Sequence, residues 1–204
     1  MVGGEAAGAG RGSNRILQDR TRIAQAAARL IAEHGIRDWS AAKRKAARQL
    51  GLPEGLGLPS NEDVEQALTD YHALFGGPAH AASLQEQRRE ALRWMRRLEQ
   101  WAPLLVGGVA AGWATEHSDV RLELAADDPK AVEMLLASNG VRYAALPGRS
   151  DEGGEPDSAE LLIETPTAGI RVSVISPVQR RSRPRRNDEP RLDRAELEAL
   201  LAQQ

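Results

Sequence analysis

The chain of 204 residues contains no cysteine. Disulfides, thiolate metal sites and thiol nucleophiles are therefore excluded. Aromatic side chains are scarce, at four Trp, two Tyr and one Phe. Base stacking along an aromatic-lined groove is correspondingly disfavoured. Lysine is nearly absent: of 27 basic residues only Lys43, Lys45 and Lys130 are not Arg. An excess of one charge is also missing. The 29 acidic residues leave a net charge of −2, so the whole chain is no polycation for nucleic acid. No run of 18 apolar residues occurs, which excludes a membrane-spanning helix. Met1 to Gly12 lacks an apolar core of the kind a secretory signal needs. The expectation is a cytoplasmic protein, with no membrane partner. What is abundant is alanine, 33 residues, and arginine, 24. That skew fits genome composition better than a functional choice.

The texture divides the chain. Residues 1–12, rich in Gly and Ala, read as a disordered tail. Residues 13–101 read as a helical region of about four helices. Ser13 or Asn14 caps the first, Ile16, Ile23, Ala27, Leu30 and Ile31 share a face, and Gly35 ends it. The second starts near Asp38 or Ser40 and runs to Gly51. Ser60 with Asp63 resembles a capping box and opens a third, on which Val64, Leu68, Tyr71, Leu74 and Phe75 recur at helical spacing. A fourth, from Ser83 to about Trp101, turns Leu84, Leu92, Met95 and Leu98 inward.

Residues 102–204 read as an α/β domain. SDVRLELAAD alternates as a strand does, and Asp128–Pro129 caps a helix that stops at Asn139–Gly140. VRYAAL is a short strand, GRSDEGGEPDS a loop, and AELLIE with IRVSVIS a hairpin-like pair. A non-helical Arg-rich loop, 179–187, and a C-terminal helix complete the chain. Its cations, Arg180, Arg181, Arg183, Arg185 and Arg186, form either an anion-binding loop or a disordered linker. Residues 1–100 hold 15 basic and 12 acidic groups, and residues 101–204 hold 12 and 17. The fold class expected is α+β, a helical N-terminal region packed on a small mixed sheet.

The stretch LVGGVAAGWATEHSDVRLEL, residues 105–124, carries the chemistry. A glycine pair lets backbone approach a phosphate closely, since no Cβ intervenes. The same pair would equally serve close packing at a strand–helix turn. Beyond it, Asp119, Arg121 and Glu123 share one strand face by period two. This segment resembles the signature of the nucleotidyltransferase superfamily that includes the polymerase β-type enzymes. Its pattern is a hydrophobic residue, Gly–Gly or Gly–Ser, about ten residues, then two acids separated by one residue on a strand. Gly107–Gly108 matches the first part and Ser118–Asp119–Val120–Arg121–Leu122 the second.

The resemblance implies Gly107, Gly108 and Ser118 at a nucleoside triphosphate and Asp119 as the catalytic, Mg²⁺-binding acid. In that family a pair of carboxylates, often with a third from a later strand, holds Mg²⁺. Here the second position is Arg121 and the plausible third, in IRVSVIS, is Ser173. Glu123 lies about 7 Å beyond Arg121 at ordinary strand rise, too far to replace the missing ligand. A guanidinium between Asp119 and Glu123 pairs with them instead. The expectation is a nucleotidyltransferase-like domain with a degenerate metal site and impaired catalysis. Mg²⁺ enters only if the chain is active, and the acceptor is unspecified. His117, beside Ser118, is either a phosphate-contacting group or a plain loop residue.

Two other resemblances lead elsewhere. AARLIAEHGIRDWSAAKRKAARQLGL, residues 27–52, resembles the opening helices of TetR-type helix-turn-helix regulators. That alternative would offer Lys43, Arg44, Lys45 and Arg48 to DNA, although PEGLGLP stands where a recognition helix should follow. Nucleic acid is also the alternative use of Arg88, Arg89, Arg93, Arg96 and Arg97, as the wall of a groove rather than a solvated helix face. The whole layout resembles a small bacterial family on AAKRKAARQLGL, LPSNEDVEQALTDYHALFG and HSDVRLELAADDPKAVEMLL. Some of its members bear the label UDP-N-acetylmuramate–alanine ligase. The residues oppose that activity, since no Gly–Lys–Thr/Ser phosphate loop occurs and the chain is too short for three domains.

Overall fold

A computed structural model describes residues 6–36, 38–53, 57–147, 159–182 and 190–203. The chain forms two compact units, Met1–Pro78 and Ala79–Gln204. Together they make an α+β protein. Among the described residues no helix is long and apolar enough to cross a membrane.

The described residues of the first unit form three α-helices: α1 (Ala6–His34), α2 (Trp39–Gln49) and α3 (Asn61–Phe75). Ile23, Ala27, Leu30 and Ile31 recur at three- and four-residue spacing and are buried. Gly35, at φ 61°, closes α1 with a bond to the Ile31 carbonyl. On α2 the buried side chains are mainly alanines, Ala42, Ala46 and Ala47. Their small size lets α1 and α2 approach closely. The Asp38 carboxylate caps α2 by accepting from the Ala41 amide. Ser60 and Asp63 form a complete capping box at the start of α3, as their spacing predicts. Val64, Ala67 and Leu68 of α3 are buried, whereas Leu74 and Phe75 are 76 % and 70 % exposed. The apolar periodicity of α3 therefore runs past the core it serves.

The second unit begins within α4 (Gly77–Arg97), which leads through a 3-10 turn (Glu99–Trp101) into β1 (Leu104–Val106). There follow α5 (Gly108–Ala111), β2 (Val120–Ala125), α6 (Pro129–Ser138), β3 (Tyr143–Leu146), β4 (Ala159–Glu164) and β5 (Gly169–Ile175). The chain then forms α7 (Pro177–Ser182), β6 (Arg191–Leu192) and α8 (Arg194–Ala202). The strands build one mixed sheet in the order β3-β4-β5-β2-β1-β6. Among the described residues only β2 and β5 pair in parallel; the other neighbours are antiparallel. Leu105, Leu122, Leu124, Leu161, Ile170 and Val172 of the sheet join Leu84, Trp94, Met95 and Leu98 of α4, Val132 and Leu136 of α6, and Leu197 of α8 in one core. Asp128 caps α6 with Pro129 at its first position, and Asp193 with Glu196 forms a second capping box at α8.

Several expectations change. The stretch 1–12 is helical from Ala6 onward, because the Ala-rich tail continues the first turn of α1. The unit boundary falls at Pro78 rather than after residue 101. The physical reason is α4, whose apolar stripe belongs to the sheet's core and not to the three-helix unit. That helix starts earlier than Ser83 and ends at Arg97, with its last turn tightened to 3-10 geometry. The Arg-rich loop is helical at its start: the Ser176 hydroxyl accepts from the Gln179 amide, and α7 carries Arg180 and Arg181. Arg183, Arg185 and Arg186 lie outside the described residues, as does the loop GRSDEGGEPDS.

A candidate anion-binding face on the sheet

The loop between β1 and β2 holds the glycine pair, and its two glycines do different work. Gly107 has φ 70° and ψ −154°, a conformation favouring glycine. A Cβ at Gly107 would lie 3.3 Å from Cδ and 3.4 Å from Nη1 of Arg121, so that side chain lies back over the glycine. A Cβ at Gly108 would instead meet the Trp113 ring at 2.6 to 3.0 Å. Gly108 is thus a packing glycine. Its carbonyl accepts from the amides of Gly112, Trp113 and Ala114, which folds the loop back on itself.

Helix α4 fixes this loop at two places. Arg88 is buried, and its Nε donates to the Val109 carbonyl at 3.1 Å, with Nη2 3.5 Å from the Ala110 carbonyl. Burial holds its guanidinium below the usual arginine range. Gln87 Nε2 donates to the carbonyls of Thr115 and Ser118 at 2.8 and 3.3 Å. The Ser118 hydroxyl accepts from the Thr115 amide at 3.0 Å, so it serves the turn. His117 Nε2 stands 3.5 Å from the Glu116 carboxylate at the surface. Arg88 therefore leaves the solvated face expected for the α4 arginines. Its neighbours remain there: Arg89 and Arg93 pair with Glu86, Arg96 pairs with Glu198, and Arg97 lies over the Trp94 ring.

The register of the sheet brings together side chains far apart in sequence. Val106 pairs with Arg121 on one side and Arg191 on the other, and Arg121 pairs with Arg171. Directly paired residues share a face, so Arg191, Arg121 and Arg171 form one row across four strands. The next row toward the other end of β1 contains Leu104, Glu123, Ser173 and Glu160. Asp119 precedes β2 at the opposite flank, with its carboxylate over Gly169, where a Cβ would be 2.6 Å from Oδ1.

Ion pairs link these rows. Arg171 bridges two carboxylates, Asp119 Oδ2 at 3.3 Å and Glu160 Oε2 at 3.2 Å. Glu123, only 6 % exposed at its side chain, faces two cations, Arg180 Nε at 3.6 Å and Arg191 Nη1 at 3.8 Å. Burial pushes the Arg180 guanidinium down, and Glu123 partly offsets this. Arg171, Arg191 and Glu160 escaped the sequence reading. Arg171 was detectable, standing two residues before Ser173 on the same strand face. Arg191 was not, because a two-residue strand has no periodicity to display.

These residues do not fit a divalent metal. Mg²⁺ takes a near-octahedral set of oxygens. Asp119 already shares an oxygen with a guanidinium, and the strand positions beside it are Arg121 and Arg171. Glu123 and Ser173 sit in the next row, with Glu123 facing its own two arginines. Among the described residues no group of three or more His, Asp or Glu is placed to hold a metal ion. What the face can do is present planar guanidinium donors to an anion.

The basic surface of the first unit is less available than its sequence implies. Lys43 is buried, and its ammonium donates to the Pro59 carbonyl at 3.0 Å and to Asn61 Oδ1 at 2.9 Å. It anchors the loop before α3 and is withdrawn from the set Lys43, Arg44, Lys45 and Arg48. The helix that follows, α3, carries Glu62, Asp63, Glu65 and Asp70 and no Lys or Arg. A helix so charged is repelled by a DNA groove. Comparison of the chain with protein-family models, curated proteins and solved structures found no match.

Proposed function

We propose that this chain is a nucleotidyltransferase-like protein that has exchanged metal chemistry for anion binding by arginine. The observation carrying this reading is the row Arg191, Arg121 and Arg171 beside Asp119. The resembled family keeps metal-binding acids along this strand. A guanidinium offers fixed positive charge and paired N–H donors to phosphate oxygens without any bound ion. The ligand implied by the resemblance is a nucleoside triphosphate, with its phosphates near Gly107 and Arg121. Metal-dependent transfer is not supported, since the carboxylates that would hold Mg²⁺ are engaged by Arg171, Arg180 and Arg191. Carboxylates in the flanking rows compete with a ligand for the same donors, so binding is modest and weakens with salt.

Calorimetric titration of the full chain with ATP, CTP, GTP and UTP tests this, in Mg²⁺ and in EDTA. At least one triphosphate should bind equally in both, and Arg121→Ala should weaken it at least about tenfold, the loss of roughly one charge-assisted contact. Absence of binding by all four removes the nucleotide role.

A further inference from the structure

Helix lengths in the first unit do not match: α1 has 29 residues, α2 has 11 and α3 has 15. Arg20 Nη2 donates to the Leu58 carbonyl at 3.2 Å and the Tyr71 hydroxyl to Glu33 at 3.0 Å, and both bonds join residues 38 apart. α1 and α3 therefore run side by side in the same direction, with α3 shifted toward the C-terminal end of α1. Each carries its apolar stripe past the end of the other. Ile16 and Leu17 lie before the first bond and are 46 % and 57 % exposed, whereas Ile23, seven residues along the same stripe, is 1 % exposed. Leu74 and Phe75 lie after the second bond, with the Tyr71 ring 5.1 Å from that of Phe75. Four of the six exposed large apolar side chains among the described residues thus fall in two patches, one at each end of this unit. The patches are about 30 Å apart at the helical rise. Grouping of this kind distinguishes them from apolar residues scattered singly over a surface.

The two ends differ in charge. Residues 14–22 of α1 carry Arg15, Arg20 and Arg22 against Asp19 alone, and Arg22 matches Asp19 at 3.4 Å. No ion pair engages Arg15 or Arg20 among the described residues, so this end holds two cations in excess. Helix α3 carries Glu62, Asp63, Glu65 and Asp70 and no Lys or Arg. Beside its last turns Glu33 of α1 is matched by Arg29 at 3.0 Å, which leaves Asp70 to set the sign there.

We propose that the two patches are the halves of one contact between copies of this chain. The Ile16–Leu17 end of one copy seats on the Leu74–Phe75 end of another, with Arg15 and Arg20 of the first toward the acids of α3 in the second. Charge selects this pairing over like with like, because two basic or two acidic ends repel. The contact is heterologous, joining different surfaces of the two copies. It lies wholly in the first unit and stands independently of anion binding at Arg121.

Light scattering of the full chain at rising concentration tests this. The native chain should associate below about 1 mM at low salt, and added salt should weaken the association. Arg15→Glu should weaken it about two- to fivefold, the scale of an exposed ion pair. Leu17→Glu and Leu74→Glu each alter the most exposed side chain of one patch, so both should keep the native circular dichroism and each alone should be monomeric. Mixed in equal amounts they should form a heterodimer and nothing larger, since each retains the half that the other has lost. If either variant unfolds, Ile16→Ser or Phe75→Ser replaces it at the same patch. A monomeric native chain, association surviving in either variant alone, or a mixture that stays monomeric overturns the proposal.

Discussion

Gly108 and Trp113 show how little freedom the loop before Asp119 retains. A methyl group at Gly108 would press on the indole at 2.6 Å, and the neighbouring loop amides already converge on the Gly108 carbonyl. Gly108→Ala should cost about 1–3 kcal/mol in urea denaturation, as overpacking does. The cost should shrink in a Trp113→Leu background, and an equal cost in both backgrounds contradicts the contact. A second pair, Tyr71 and Glu33, makes a pH-dependent contribution in the first unit. The Tyr71 hydroxyl donates to Glu33 at 3.0 Å. That bond is the largest cause holding the Glu33 carboxyl below its ordinary 4.5. Burial and then the same bond hold the Tyr71 hydroxyl above 10.0. In acid the unfolded chain takes up the Glu33 proton first, so this contribution is full above pH 4.5 and is lost as pH falls through the folded value. At the alkaline end it persists to pH 10.0 and is lost as pH rises through the raised Tyr71 value. Tyr71→Phe should therefore melt below the native chain at pH 7, with the difference closing in strong acid. A difference constant with pH contradicts the account. That Arg121 and Glu123 share one strand face was legible from period-two spacing alone. The bridge from Arg171 to Asp119 and Glu160 was not, because it depends on the register of three strands.

Elements with strong end signals were the most legible. The Ser60–Asp63 box, the Asp128–Pro129 start and the Asp38 cap all lie at the helix starts that their chemistry requires. Helix α4 was the least well placed, since its apolar stripe says that it packs but not against what. Its role is clearest in Arg88, which crosses to two carbonyls of α5. Arg88→Met should destabilise the second unit by about 1.5–3 kcal/mol, the scale of charge-assisted bonds. Hydrogen exchange at the amides of Gly112 to Ala114 should also quicken. Unchanged protection there would show that α4 does not hold the loop. Strand β6 and helix α7 are short, and neither has a pattern long enough to distinguish it from coil.

For the whole molecule, the charge difference between the halves of the sequence gave no guide to the unit boundary. Packing places it instead within the start of α4, and every residue of the sheet's core comes from Ala79–Gln204. That fragment should fold alone with one cooperative thermal transition, and a molten, non-cooperative fragment contradicts the division. The central claim concerns the second unit's polar face, where Arg121 and Arg171 stand beside Asp119. Titration of the full chain with Mn²⁺, followed by electron paramagnetic resonance of the free ion, tests it most directly. The account predicts no stoichiometric Mn²⁺ site in the native chain. One Mn²⁺ bound per chain and lost on Asp119→Asn would contradict it.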